Sequence, residues 1–223
     1  MVIVFDLDDT LYDDISFVLS GFRKVAEYLS TFLDVEQEDI YNQLVIELQV
    51  NRNQVFDRFL EKHGIFQKKL VSKCISIYRK HHPLISLFPE ADECINRLKK
   101  NPLYVVTDGN KLVQKNKFVA LGLAKRIKKC ICTYAYGLTH SKPSPYCFQK
   151  ICEWENVSPS EIVYIADNPK KDFVGIKPLG FCTIRVLTGP YRNLNLGSEY
   201  DADMTISNLS ELNENLLKDL MNK

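Results

Sequence analysis

The residues in this chain with chemistry to offer are mostly carboxylates, and they come in two short runs. Asp6, Asp8 and Asp9 follow an apolar stretch at the start of the chain, and Asp167 and Asp172 follow another far downstream. Between them stand Thr107-Asp-Gly-Asn110 and His140-Ser-Lys-Pro143. Carboxylates brought to one point repel each other strongly unless a cation sits among them. Their hard oxygens suit Mg²⁺, which keeps part of its water and shares a substrate phosphate. A lysine, a threonine hydroxyl and free amides near Gly109 suit the non-bridging oxygens of a phosphoryl group. One carboxylate left free to attack phosphorus would make the catalysis covalent, through an aspartyl-phosphate.

These groups meet only if the fold delivers them to one edge. Val2 to Phe5 is a short β-branched run that stops at Asp6, the pattern of a buried strand ending at a polar rim. Leu103–Thr107 and Ile162–Ala166 repeat it, stopping at Asp108 and Asp167. Cys130–Thr133, Phe181–Val186 and Met204–Ile206 read as further strands. Helical stretches lie between them. Pro89 opens one with Ala91, Cys94, Ile95 and Leu98 on one face. Another runs through Val113 to Leu121 and stops at Gly122. Ser144-Pro145 starts a third, Ser158-Pro-Ser-Glu161 reads as a capping box, and a last helix is expected over about 210–220. Strands alternating with helices predict an α/β core, a parallel Rossmann-like sheet with helices on both faces. In such a sheet the site lies beyond the carboxyl ends of the strands, where the four polar groups would converge.

From about residue 17 to 78 the pattern is helical only. Val18, Phe22, Val25, Leu29 and Phe32 recur at steps of three and four. Asp34 with Gln37 reads as a capping box, and further helices fit 53–63 and 66–82, the last stopped by Pro83. The expected organisation is therefore a catalytic core of 1–14 and 84–223, with a helical insertion, 15–83, soon after the first strand.

Phe5-Asp-Leu-Asp-Asp-Thr-Leu11, Thr107-Asp-Gly-Asn110, Lys142-Pro-Ser-Pro145 and Ala166-Asp-Asn-Pro-Lys-Lys-Asp172 resemble, in order, the four motifs of the haloacid dehalogenase superfamily. The resemblance spans nearly the whole chain, and the insertion is similar to that family's helical cap. It implies Asp6 as nucleophile and Asp8 as general acid and base, the backbone carbonyl of Asp8 also facing Mg²⁺. It implies that Thr107 and the amides of Asp108 and Gly109 hold the phosphoryl oxygens, and that Lys142 neutralises charge on the nucleophile and the transferring group. Mg²⁺ would rest on Asp6, Asp8 and Asp167, with Asp172 at the metal or just outside it. Ala166 departs from the family, which often has Gly there. Asp8 points away from dehalogenation, because a halide leaves without a proton and an alkoxide does not. The implied activity is Mg²⁺-dependent hydrolysis of a small phosphorylated metabolite, a sugar phosphate or nucleotide. A phosphosugar mutase and a catalytically idle binding module of the same fold stay open beside it. Caps of this kind carry much of the substrate selection, with Tyr12, Arg52, Asn53 and Phe56 as candidate contacts.

Several residues invite chemistry but read as structural. Asp9 is expected to bond amides in its own turn, and Asp13 and Asp14 to cap the next helix. His81 and His82 read as helix-end residues, Lys170 and Lys171 as a solvated loop face, Trp154 as packing, and 188–191 as a plain loop. Composition narrows the class further. Twenty-nine basic and 28 acidic residues among 223 leave a net charge of +1, no basis for nucleic-acid or polybasic membrane binding. Met1 runs directly into Val-Ile-Val-Phe, without the charged start of a secretory signal. No apolar run approaches the roughly 20 residues that cross a bilayer. The seven cysteines form no Cys-x-x-Cys pair and read as free thiols of a cytoplasmic protein; Cys130 and Cys132 lack the partners of a metal site.

Overall fold

A computed structural model describes residues 1–221. The chain forms strands β1 (Val2–Phe5), β2 (Leu103–Thr107), β3 (Lys129–Cys132), β4 (Ile162–Ala166), β5 (Cys182–Val186) and β6 (Met204–Ile206). All pairings are parallel, in the order β3-β2-β1-β4-β5-β6. Even-numbered residues on one face, Val2, Val4, Tyr104, Val106, Tyr164 and Ala166, pack with Phe148 and Ile151 of a helix and with Phe173 and Ile176. Ile3, Phe5, Leu103, Val105, Val163 and Ile165 on the other face are buried as well. Burial on both faces explains why these strands are continuously apolar rather than alternating.

Eight α-helices are described: α1 (Asp14–Leu29), α2 (Gln37–Val50), α3 (Val55–Lys62), α4 (Lys68–Lys80), α5 (Pro89–Arg97), α6 (Lys111–Ala120), α7 (Tyr146–Glu155) and α8 (Glu214–Met221). The chain divides into two compact units, Met1–Asp14 with Ser86–Lys223, and Ile15–Ile85. The second is helical and has its own core, in which Phe22, Val25, Leu29, Ile40, Leu44, Phe59, Leu60 and Cys74 meet. Among the described residues no helix is long and apolar enough to cross a membrane.

Three helix ends differ from the sequence expectation. Phe32 lies beyond α1 and is exposed, because the hydroxyls of Ser30 and Thr31 bond the carbonyls of Glu27 and Tyr28 and compete with the helix ladder. Asp34 does not cap α2; Glu36 holds that position in extended backbone without a side-chain bond. Helix α8 starts four residues later than expected, because Asn213 supplies the cap, its Oδ1 accepting from the amides of Asn215 and Leu216.

Candidate active site

The sheet register brings the motifs to one edge. Phe5 lies opposite Val105 of β2 and Ile165 of β4, so Asp6, Thr107 and Asp167 all fall where their strands end. The Asp6 amide continues the ladder one step past β1, donating to Ile165 O at 2.9 Å. Asp6 Oδ1 accepts from the Leu7 amide at 2.8 Å and lies 2.9 Å from Lys142 Nζ. The same ammonium lies 2.8 Å from Asp172 Oδ1 and donates to the Tyr164 hydroxyl at 3.0 Å. Tyr164 in turn donates to Asp172 Oδ1 at 3.0 Å, and the Asn168 amide donates to Asp172 Oδ2 at 3.0 Å. Lys142 is thus locked by three oxygens, and Asp172 by donors on both of its own.

Asp6, Asp167 and Asp172 are buried, and each has a carboxylate oxygen within 4.8 Å of the others. Burial pushes Asp6 up to about 6 despite the pull of Lys142, with Asp172 adding to the rise. Burial, then the charges of Asp6 and Asp172, pushes Asp167 up to about 8. Asp167 Oδ2 is buried without a hydrogen-bond donor. Three buried carboxylates of hard oxygen, one with an orphaned oxygen, form a donor set that a divalent cation such as Mg²⁺ fits.

Asp8 is expected to face the metal through its backbone carbonyl, and its carboxylate is engaged elsewhere. Its carboxylate is outside that cluster, turned to α6 and to the chain beyond motif one. Oδ1 accepts from the Tyr12 hydroxyl at 2.6 Å and from Lys117 Nζ at 2.8 Å, and Oδ2 accepts from Gln114 Nε2 at 3.1 Å. With these donors on its side chain, only its backbone carbonyl remains a candidate for the metal. Tyr12 also leaves the list of substrate contacts, since it is fully buried and its hydroxyl is taken by Asp8.

Asp108 is expected to act through its backbone amide, and its side chain, for which the sequence suggests no role, is engaged as well. Its carboxylate would repel a phosphate, and it does something else. Oδ1 accepts from the Thr133 hydroxyl and, at 3.1 Å, from the Lys142 amide, while Oδ2 lies 3.3 Å from Lys171 Nζ. Burial raises Asp108, but Lys142 and Lys171 more than reverse this and hold it below the usual carboxylate range. It ties the loops after β2, β3 and β4 together through its side chain and leaves its backbone amide outside that network. Gly109 beside it has φ +128°, and a Cβ there would stand 2.8 Å from Gln114 Nε2. Only glycine fits that backbone and lets Gln114 through. Thr107 is buried at the end of β2, its hydroxyl making a long 3.5 Å contact with Asp108 O.

Asp9 takes the left-handed conformation, φ 57°, and its side chain accepts from the Asp14 amide at 3.1 Å. The loop after β5 holds it there. Thr188 donates its hydroxyl to Asp9 O, and a Cβ on Gly189 would come within 2.6 Å of Asp9 Cβ and 3.3 Å of Asp167 Oδ2. That loop therefore shapes the carboxylate cluster, a role its sequence did not show. His140 stacks on Tyr146 at 4.0 Å, Trp154 stacks on Tyr104 at 6.5 Å, and His81 closes α4 through Tyr78 O. All seven cysteines are free, and burial pushes the Cys130 thiol up to about 12.

A family model described as haloacid dehalogenase-like hydrolase matches residues 1–180. The chain belongs to this family. Within it, this hydrolase is similar along its length to enzymes named glyceraldehyde 3-phosphate phosphatase. That of Methanocaldococcus jannaschii is 30% identical, over 97% of this chain and 98% of the relative. That of Pyrococcus furiosus is 28% identical, over 96% and 91%. The hydrolase is a phosphatase of the family. Among solved structures, the HAD-hydrolase YfnB of Bacillus subtilis shares the fold with a TM-score of 0.69 at 20% identity, covering 100% of this chain and 98% of the other.

The sequence reading of this haloacid dehalogenase-like hydrolase missed four polar residues at the site. Tyr164 hides in the apolar run of β4, on the face that also carries Tyr104. Lys171, read as solvated, turns inward to Asp108, and the charges of Asp6, Asp172 and Asp108 raise it against burial and Lys142. Gln114 and Lys117 are buried on α6, three residues apart, a spacing that puts two polar groups on one helix face and could have drawn attention. In the helical unit, Arg52, Asn53 and Phe56 line one cavity of about 270 Å³ with Val18, Phe22 and Tyr78.

Proposed function

We propose that this hydrolase releases phosphate from a small phosphorylated sugar or aldehyde, glyceraldehyde 3-phosphate being the first candidate, through an aspartyl-phosphate on Asp6. The observation that carries the reading is the trio Asp6, Asp167 and Asp172 within 4.8 Å, with Lys142 on Asp6. The substrate class rests on the names of full-length relatives.

In this reading Asp6 attacks phosphorus while Lys142, 2.9 Å from Oδ1, keeps it ionised and offsets charge in the transition state. The amides of Asp108 and Gly109, the Thr107 hydroxyl and Lys171 receive the phosphoryl oxygens. Asp8 gives a proton to the leaving oxygen, then takes one from the water that cleaves the acyl phosphate. Mg²⁺, held by Asp6 and Asp167 with Asp172 behind them, would supply the positive charge that lets a phosphate dianion approach a carboxylate. Asp172 serves by orienting Lys142. The helical unit, 15–83 in the sequence reading, serves in substrate selection, with Arg52, Asn53 and Phe56, which line its own cavity, as the candidate residues. The free thiols fit a reducing cytosol.

The test is phosphate release from glyceraldehyde 3-phosphate with Mg²⁺ and with EDTA, for wild type and Asp6→Asn. Metal-dependent release that the substitution abolishes supports the reading. Full activity in Asp6→Asn overturns it, and an isomer formed without free phosphate would make the enzyme a mutase.

A further inference from the structure

The Asp8 carboxylate is held by a network that its expected chemistry does not require. Lys117 is buried, yet its ammonium lies 2.8 Å from both Asp8 Oδ1 and Asp14 Oδ1. The Tyr12 hydroxyl donates to Asp8 Oδ1 at 2.6 Å and lies 3.2 Å from Asp14 Oδ1. Gln114 spans from Asp8 Oδ2 to the carbonyl of Asp108, at 3.1 and 2.9 Å. Burying a lysine with two carboxylates is not a cheap way to stabilise a fold, since apolar residues of similar volume often do better. The network instead fixes direction. Donors on both oxygens leave the carboxylate one rotamer, and both Gln114 and Lys117 come from α6. That helix starts straight after the phosphate-binding loop, capped by Asn110 Oδ1, which accepts from the amides of Leu112 and Val113.

We infer that Lys117, assisted by Gln114 and Tyr12, is a positioning residue that aims Asp8 at the bridging oxygen of the ester. The inference rests on the aspartyl-phosphate reading above and deepens it. In the first half-reaction an Asp6 oxygen bonds to phosphorus, the ester P–O bond breaks, and the Asp8 proton goes to the departing alkoxide. In the second, water bonds to phosphorus, its proton passes to Asp8, and the P–O bond to Asp6 breaks. One carboxylate serves two partners in turn, so its place must survive the loss and return of its own proton. Lys117 and Gln114 are held by second partners, Asp14 and the Asp108 carbonyl, and so keep the carboxylate in place through that cycle.

The leaving group supplies the test. p-Nitrophenolate departs without a proton, whereas the alkoxide of glyceraldehyde 3-phosphate needs one. Single-turnover release of the alcohol from each ester, with Mg²⁺, is measured for wild type, Lys117→Met, Lys117→Arg and Asp8→Asn. Lys117→Met should slow the alkyl ester by about thirty-fold and the aryl ester by less than about three-fold. Asp8→Asn should show the same selectivity more strongly, and Lys117→Arg should recover most of the alkyl rate. Gln114→Leu, which keeps both ion pairs, should give the same selectivity at smaller size and replaces Lys117→Met if that variant does not fold. Equal losses on the two esters, or none, in a variant with a cooperative melt would overturn the positioning role. Asp6→Asn separates the two failures: if it stays active the aspartyl-phosphate reading falls and takes the inference with it. If it is inactive while Lys117→Met treats both esters alike, only the inference falls.

Discussion

Two buried charge clusters in this protein are built on opposite principles. In the helical unit, Glu47 of α2 is almost completely buried and fully answered. Arg58 Nε lies 2.8 Å from it, and Lys62 donates to its other oxygen. Arg58 also reaches the carbonyls of Glu47, Asn51 and Asn53, stapling the turn between α2 and α3. The bond to Lys62 outweighs burial and holds Glu47 below its ordinary range. In the α/β unit, Asp6 and Asp167 are equally buried and pushed the other way. A matched buried charge supports the fold, whereas a mismatched one is kept for something that arrives from outside.

The widest contrast should come from activity. Asp6→Asn is expected to lower turnover on the order of 10⁴-fold while leaving a cooperative melt, as steady-state kinetics and calorimetry would show. Breaking the matched cluster should act on stability instead. Arg58→Met leaves Glu47 with Lys62 alone and removes the bonds to the three carbonyls of the α2–α3 turn, and should cost about 2 kcal/mol, lowering Tm by roughly 4–8 °C. A Tm within a degree of wild type would mean that the pair is idle.

The mismatched cluster should respond with the opposite sign. Asp167 rises from the ordinary 3.8 to about 8 in the folded, metal-free protein. Between those values the folded form holds a proton that the unfolded chain has released, so stability falls as pH rises from about 4 to 8. Protein in EDTA should therefore lose Tm across that window, and added Mg²⁺ should raise Tm more at pH 8 than at pH 5.5. Asp167→Asn should raise the metal-free stability at pH 7 by about 2 kcal/mol and flatten the pH dependence. A flat melting profile in EDTA would remove the mismatch. Smallest of all, Lys171→Met should raise KM for the phosphate ester about five-fold, near 1 kcal/mol, with kcat within a factor of two. An equal fall in kcat would place Lys171 in the chemistry itself.

How far the sequence announced this follows the same division. The strands were legible because a buried parallel strand is apolar throughout and ends abruptly where polar groups collect, as at Phe5, Thr107 and Ala166. The helix ends were less so, because short-range competition decides them, as Ser30, Thr31 and Asn213 show. The motif carboxylates could be read from order and spacing. Their partners could not. Tyr164 reads as one more apolar strand residue and Lys171 as one more surface lysine, and only the three-dimensional course of the chain aims them at Asp172 and Asp108.

The central place of β1 carries a consequence for how the molecule comes into being. Ile3 pairs with Leu103 on one side and Val163 on the other. During synthesis the first strand emerges long before either neighbour, and its loops close only after about 100 and 160 residues have followed. The helices of 15–85, rich in local contacts, can form in that interval, whereas the sheet cannot. The carboxylates at its edge can therefore meet only once the β4 segment has left the ribosome. The nascent chain is spared the repulsion of the finished site until the core of β1, β2 and β4 that opposes it is available for burial.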